Sequence, residues 1–134
     1  MSSQRIAPGD RLALHYEKVV RELVARHAKM HEEPLVLAIR FRFDDAEDIH
    51  LLEVIEGFPG GGDDPPLTTE FGPTPEFPIL GRFHLTLASP AQLRSAIGRS
   101  DEILADLRRD GIVLFPQPPD STAKQLLSGL GLPA

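Results

Sequence analysis

The chain has 134 residues, of which 41% are hydrophobic, and its formal net charge is -6. A chain of this length fits one domain that buries about two thirds of its unfolded surface in a single core. Its 20 acidic residues outnumber 14 basic ones, so the chain as a whole repels phosphate backbones and nucleic acid is not an expected partner. It contains no cysteine, which excludes disulfides, thiolate metal sites and cysteine nucleophiles.

No segment reaches the roughly 18 consecutive apolar residues that a membrane helix needs. The start of the chain, MSSQRIAP, has no apolar run of the kind found in signal peptides. Together with the lack of cysteine, these features predict a cytoplasmic protein without membrane contact. We expect residues 1–9 to form a flexible leader, residues 10–115 to form the domain, and residues 116–134 to form a Pro-rich tail.

A long amphipathic helix is predicted after the leader. Asp10 is a candidate N-cap, and apolar residues recur at helical spacing from there to Pro34, which ends the helix. His27 and His31 lie one turn apart, a spacing that can place two imidazoles on one metal ion. The Glu of a His-Glu-x-x-His motif is lacking, so a histidine at the edge of the apolar stripe is the favoured interpretation.

The following stretch predicts a β-hairpin. Residues 35–39, LVLAI, are continuously apolar, residues 40–43 alternate as RFRF, and IHLLEVI at 49–55 follows the acidic link 44–48. Continuous apolar runs are typical of strands covered on both faces, whereas alternation indicates one face open to water. We therefore expect this hairpin in the middle of a sheet, with helices against it.

Residues 57–78 are crowded with proline and glycine, and this composition predicts no regular element. The stretch is long for a loop inside a domain, which favours a disordered insertion or a partner-docking arm. Its Gly60-Gly-Gly62 run lacks the Lys-Ser/Thr of a P-loop and continues into Asp63 and Asp64, which argues against phosphate binding.

Residues 79–87, ILGRFHLTL, predict a third strand whose more polar face carries His84. Ser89-Pro90 is typical of a helix start, with a hydroxyl cap and proline at the first helical position. A second helical segment is expected to begin near Asp101, so the two form a helix pair.

The apolar run IVLF at 112–115 predicts a short closing strand, and Ser121 is the expected cap of one short helix in the tail. These elements predict an α+β domain. Its central sheet is expected to be mostly antiparallel or mixed, with about four strands, a long N-terminal helix and a C-terminal helix pair.

This order of elements, together with EDIHLLEVI at 47–55, resembles the minimal nucleotidyltransferase domain of bacterial toxin-antitoxin systems. The segment at 47–55 is similar to the family's acidic second strand, and SPAQLR at 89–94 with ILADLRRDGIVLF at 103–115 is similar to its C-terminal end. The resemblance covers residues 11–115 and implies a nucleotidyltransferase-like fold.

In that family two aspartates of the acidic strand hold divalent metals for phosphoryl transfer. They fall here on Asp48 and His50, and the third strand offers Arg82 and His84 where a third carboxylate is expected. The family's phosphate-binding Gly-Ser turn is absent, because Phe43 runs directly into the acidic link. The resemblance therefore implies a degenerate member that keeps the fold and has lost the nucleotide machinery.

One functional hypothesis is a non-catalytic interaction or regulatory protein, antitoxin-like or adaptor-like. It would bind a basic protein partner through the acidic turn that contains Asp44, Asp45 and Glu47. The alternative, that this turn is only a solvated hairpin tip, stays open. This hypothesis involves no catalytic residue and no cofactor.

The other hypothesis is a metal-dependent enzyme of nucleotidyl or phosphoryl transfer with a remodelled site. Asp48 and His50 alternate onto one face of a strand, and His84 would lie on a neighbouring strand if the sheet order follows the chain. Two imidazoles and a carboxylate are a suitable ligand set for a divalent metal. A scaffold domain that forms a homodimer through its first helix is a third interpretation.

Overall fold

The computed structural model describes residues 8–30, 34–44, 47–59, 64–73, 75, 79–99 and 102–132, and the side chains of the first helix from residue 14 to residue 29. In chain order these ranges form α1 (Pro8–Met30), β1 (Leu35–Phe41), β2 (Ile49–Ile55), β3 (Leu67–Phe71), β4 (Phe83–Ala88), α2 (Pro90–Arg99), α3 (Glu102–Asp110), β5 (Ile112–Phe115) and α4 (Ser121–Leu130). The α+β class is confirmed.

The five strands form one mixed sheet in the order β3-β4-β2-β1-β5. β2 pairs in parallel with β4, and the other three pairings are antiparallel. The β1–β2 hairpin therefore lies in the interior of the sheet, as its continuous apolar runs predict.

Helices cover both faces of this sheet. The apolar stripe of α1 packs on one face, where its core residues are Tyr16, Val19, Val20, Leu23 and Val24. The other face carries α2, α3 and α4, whose core residues are Leu93, Leu104, Leu107, Ala123, Leu126, Leu127 and Leu130. Side chains alternate along β2 between the two clusters, with Ile49 and Leu51 facing α1 and Leu52 and Val54 facing the other helices.

The starts of the helices confirm one cap residue predicted from the sequence and correct two others. The predicted Ser89 cap is confirmed: its Oγ accepts from the Gln92 N–H at 3.1 Å, and Gln92 Oε1 accepts from the Ser89 N–H at 2.9 Å, which completes a capping box. The N-cap of α4 is Asp120, not Ser121. α1 begins at Pro8, ahead of the predicted Asp10 cap.

The expectation that residues 57–78 contain no regular element was wrong, because β3 lies within them. Its sequence LTTEF is free of proline and glycine, and threonine favours strands. The sheet accordingly has five strands instead of four. The short helix expected in the tail is present as α4, and its packing in the core extends to Leu132.

Arg40 departs from the open face that the alternation at 40–43 predicts. It is buried, with only 9% of its surface exposed, and its guanidinium carbon lies 4.6 Å from the centre of the Phe43 ring. Burial lowers the pKa of Arg40, while the charge of Glu17 on α1 acts in the opposite direction.

His27 binds a buried carboxylate of the sheet. Its Nδ1 lies 2.7 and 2.8 Å from the two oxygens of Glu53, whose side chain is 0% exposed in the middle of β2. Because an ionised carboxylate can only accept, the ring nitrogen donates in that state. This contact fixes the end of α1 on the sheet. His31, the second residue of the predicted pair, lies outside the described residues.

We expect His27→Ala to lower the free energy of unfolding by about 3 kcal/mol, because it leaves the Glu53 carboxylate buried without the ring. Urea denaturation at neutral pH measures this change. The control is Arg21→Ala, which removes an exposed ion pair with Glu17 on the same helix and should cost under about 1 kcal/mol. Equal effects of the two variants would contradict a special role for the buried pair.

Candidate metal centre

Side chains of four neighbouring strands form a row across one face of the sheet. The strand register places Glu70 of β3 opposite His84 of β4, His84 beside His50 of β2, and His50 opposite Phe41 of β1. The two imidazole rings stack with centroids 4.2 Å apart and planes inclined by 2°. The three polar residues Glu70, His84 and His50 form a polar row, which depends on the pairing of β2 with β4.

Asp48 completes a cluster with the two histidines. It precedes β2 by one residue and alternates onto the same face as His50, so that Asp48, His50 and His84 each offer a ligand atom within 4.8 Å of the others. His50 is buried, while the side chains of His84 and Asp48 keep 16% and 24% of their surface exposed. The three residues that the sequence suggested as metal ligands are thus brought together.

The Asp48 carboxylate is held by the segment that precedes β4. Oδ1 accepts from the Arg82 N–H at 2.9 Å, and Oδ2 lies 2.8 Å from His84 Nε2. The hydrogen bond from His84, followed by that from the Arg82 backbone, lowers the pKa of Asp48 below its usual 3.8. Asp48 is therefore in its ionised, metal-binding form at neutral pH.

Gly81 permits this arrangement. A Cβ atom at Gly81 would lie 1.9 Å from Asp48 Oδ1 and 2.6 Å from the Glu47 carbonyl oxygen, which are impossible contacts. The Gly81 N–H also donates to that carbonyl at 2.9 Å. Glycine is required here for the close approach of two backbone segments.

Tyr16 connects α1 to the same two segments. It is almost fully buried, and its hydroxyl donates to the Glu47 carbonyl at 2.7 Å and accepts from the Leu80 N–H at 2.5 Å. The hydroxyl thus joins the chain just before Asp48 to the chain just before Gly81, which keeps the cluster in register with the helix on the opposite face.

Glu70 was missed by the sequence analysis, because it lies in the stretch that was expected to be irregular. Its Oε1 lies 3.1 Å from His84 Nδ1, and its side chain is 51% exposed. The Thr-Thr-Glu-Phe run between proline and glycine was the available signal for a strand here.

The predicted partner-binding residues lie beside this cluster, not in it. The Asp44 carboxylate is 73% exposed and accepts from Arg109 at 3.2 Å. Glu47 contributes its backbone carbonyl to the contacts with Tyr16 and Gly81. Asp45 lies outside the described residues.

A charged cleft of about 420 Å³ is lined by Arg42, Asp44, Asp106 and Arg109. Asp106 accepts from Arg42 Nε at 2.7 Å through Oδ2, and its Oδ1 lies 3.1 Å from Arg109 Nη1. The two arginines and the two aspartates that line the cleft balance each other in charge. They form a network of ion pairs within the chain.

The backbone of Arg42 is left-handed, with φ 53, a conformation that non-glycine residues rarely adopt. Asp110 holds it, since its two carboxylate oxygens accept from the N–H groups of Arg42 and Phe43 at 2.9 and 2.8 Å. Because Asp110 fixes this turn, the Arg42 side chain is directed towards Asp106, and this wall of the cleft is held in place.

No protein-family model matches the chain, and neither a similar curated protein nor a similar solved structure is found. Among the described residues, none of the helices combines the length and apolar character needed to cross a bilayer.

We expect Gly81→Ala to destabilise the fold by about 1–3 kcal/mol, because the new methyl group displaces Asp48 or the 47 backbone. Chemical denaturation measures the loss. Gly98→Ala is the matched control: a Cβ at this exposed position of α2 meets nothing within 4 Å, so it should stabilise by about 0.5–1 kcal/mol. A tolerated Gly81→Ala would contradict the described packing of Asp48.

The ion pairs of Asp106 predict a dependence of stability on pH. The hydrogen bond from Arg42 lowers the pKa of Asp106 below 3.8 in the folded chain. A carboxyl with a lowered folded pKa stabilises the fold above its unfolded pKa, and this contribution is lost as pH falls through the folded pKa.

Asp106→Asn should therefore cost about 1 kcal/mol at pH 7, and the difference from the wild type should shrink as pH falls below about 4. Urea denaturation across this range measures it. Glu56→Gln, at an exposed carboxyl after β2, should change stability by under about 0.5 kcal/mol. A difference that persists unchanged to the lowest pH would contradict the assigned ion pairs.

Proposed function

We propose that this protein binds a divalent transition-metal ion through Asp48, His50 and His84, in a centre of the catalytic type. The observation that carries the proposal is the convergence of their three ligand atoms within 4.8 Å on one face of the sheet. Catalytic metal centres commonly use three protein ligands and leave further positions to water or substrate. The partial exposure of Asp48 and His84 supports such an open side.

The ligand types favour a transition metal over magnesium. Imidazole nitrogen suits zinc, iron, copper and nickel, whereas magnesium and calcium prefer carboxylate, carbonyl and water oxygens. The cluster has two imidazoles and one carboxylate. Zinc is accordingly the first ion to test.

Nucleotidyl transfer through two metals has less support than a single-metal centre. That chemistry needs hard oxygen ligands to clamp the attacking and leaving oxygens, and Asp48 is the one carboxylate in the cluster. Kinship with the nucleotidyltransferases remains a hypothesis. The placement of Asp48 and His50 at the start of β2, and of His84 on the neighbouring strand β4, supports it.

The acidic turn supports a binding role less well than the cluster supports a metal. The Asp44 carboxylate, which is 73% exposed, is engaged by Arg109 within the same chain. Recognition of a basic protein partner through Asp44, Asp45 and Glu47 stays a prediction, as does a homodimer.

We expect the wild-type protein to bind one Zn²⁺ ion per chain in calorimetric titration and to bind Mg²⁺ far more weakly. His84→Ala and His50→Ala should each weaken Zn²⁺ binding by more than the roughly 100-fold that marks the upper range for outer-shell changes. Circular dichroism of each variant verifies that it is folded.

His15→Ala is the control, because it removes an exposed imidazole of α1, the helix on the opposite face of the sheet. It should bind Zn²⁺ like the wild type. The proposal fails if the wild type binds no Zn²⁺, or if folded His50→Ala and His84→Ala variants bind it as tightly as the wild type does.

A further inference from the structure

We propose that Glu70 is a positioning residue of this centre: its carboxylate pairs with His84 at Nδ1 and thereby presents His84 Nε2 to the metal ion. The inference rests on the proposed function, because it concerns the orientation of one ligand of the same cluster. It assigns a role to the edge strand β3, which contributes no ligand to that cluster.

The His84 ring lies between two carboxylates. Nε2 is 2.8 Å from Asp48 Oδ2, and Nδ1 is 3.1 Å from Glu70 Oε1. Ionised carboxylates only accept hydrogen bonds, so in the metal-free chain each ring nitrogen that bonds to one of them has to donate a proton. A metal ion bound at Nε2 would replace the proton shared with Asp48, while Nδ1 keeps the proton that faces Glu70. Asp48 is itself in the ligand cluster, so Nε2 is the nitrogen directed at the metal position.

Glu70 is placed to act through His84 and not on the metal directly. The group of converging ligand atoms comprises Asp48, His50 and His84, and Glu70 is not a member of it. Its side chain is half exposed, whereas those of His84 and Asp48 are 16% and 24% exposed. A carboxylate that accepts the second N–H of a metal-bound imidazole fixes the tautomer and raises the basicity of the ligand.

The strand geometry keeps Glu70 in this position. β3 and β4 are antiparallel with Glu70 directly opposite His84. On the same face, the hydroxyls of Thr68 and Thr86 lie 3.0 Å apart in the neighbouring cross-strand pair. These pairings hold β3 in register, and a shift by one residue would turn Glu70 to the opposite face.

Zn²⁺ titration of three β3 variants separates the effect of the Glu70 charge from the effect of its acceptor oxygen. Glu70→Ala should weaken binding 10- to 100-fold, the usual effect of removing an outer-shell partner. Glu70→Gln should lose less, since the amide oxygen still accepts from Nδ1 without the charge. Thr69→Ala is the matched control on the same exposed strand, and should bind like the wild type because Thr69 pairs with Leu85 on the other face.

Proton-nitrogen correlation NMR of the imidazole groups supplies a readout that a merely structural role would not change. In the zinc-loaded wild type we expect His84 to retain its proton on Nδ1 and to bind zinc through Nε2. In Glu70→Ala the Nδ1 proton signal should broaden through faster exchange with water, and Glu70→Gln should restore it in part.

Each outcome separates this inference from the proposed function. Absence of Zn²⁺ binding by the wild type overturns both. Normal binding by the wild type and equally tight binding by Glu70→Ala overturn only the role of Glu70, as does zinc bound to Nδ1. If the visible spectrum of the Co²⁺-loaded Glu70→Gln variant indicates a changed coordination number, Glu70 is itself a ligand. That result would also overturn its positioning role.

Discussion

The parallel pairing of β2 with β4 is the contact on which both the sheet and the cluster of Asp48, His50 and His84 depend. It joins the β1–β2 hairpin to the β3–β4 pair, and its register places His50 beside His84. Paired strands need the correct register because a shift by one residue turns every side chain to the other face. Such a shift in β4 would direct His84 into the apolar cluster under α1 and Phe83 into the polar row.

The register is fixed at the end of these strands where the cluster lies. The Ile49 N–H donates to the Arg82 carbonyl at 3.0 Å, and the Arg82 N–H donates to Asp48 at 2.9 Å. Tyr16 bridges the same two segments from α1. The Asp48 carboxylate thus lies against the backbone of the segment before β4. This close approach explains why Gly81 must lack a Cβ atom.

The parts of the fold that could be predicted from sequence are those that bury apolar surface with a regular period. The hairpin and the stripe of α1 carry such signals. The start of α2 was predictable for a different reason, because Ser89-Pro90 has the residue types of a helix cap. β3 does not, because its first four residues are exposed and neither face shows a buried apolar series. Arg40 was misjudged for a related reason: alternation identifies two faces, but α1 covers the face that it was expected to leave open.

The site was predictable only where it depends on spacing within one strand. Alternation places Asp48 and His50 on the same face whatever the fold, whereas their approach to His84 depends on the sheet order. Glu70 depends in addition on a strand that the sequence did not reveal. Contacts between distant segments are decided by tertiary packing, and a single sequence shows the candidates without showing which of them meet.

β2 carries polar residues to both faces of the sheet, and the surroundings of these residues differ. Glu53 is fully buried, and both its oxygens contact one ring nitrogen of His27, so its needs are met within the fold. His50 instead lies against a second imidazole and a carboxylate that are partly exposed.

A buried polar group that needs only a hydrogen-bond partner is satisfied most simply by one residue, as Glu53 is by His27. Three converging ligand atoms, two of them on partly exposed side chains, exceed that need. Grouping them has a cost, because polar side chains in the sheet replace apolar surface that would stabilise the fold. Such a cost is commonly retained at functional sites. The contrast along a single strand therefore supports the proposed metal ion as the reason why these residues lie together.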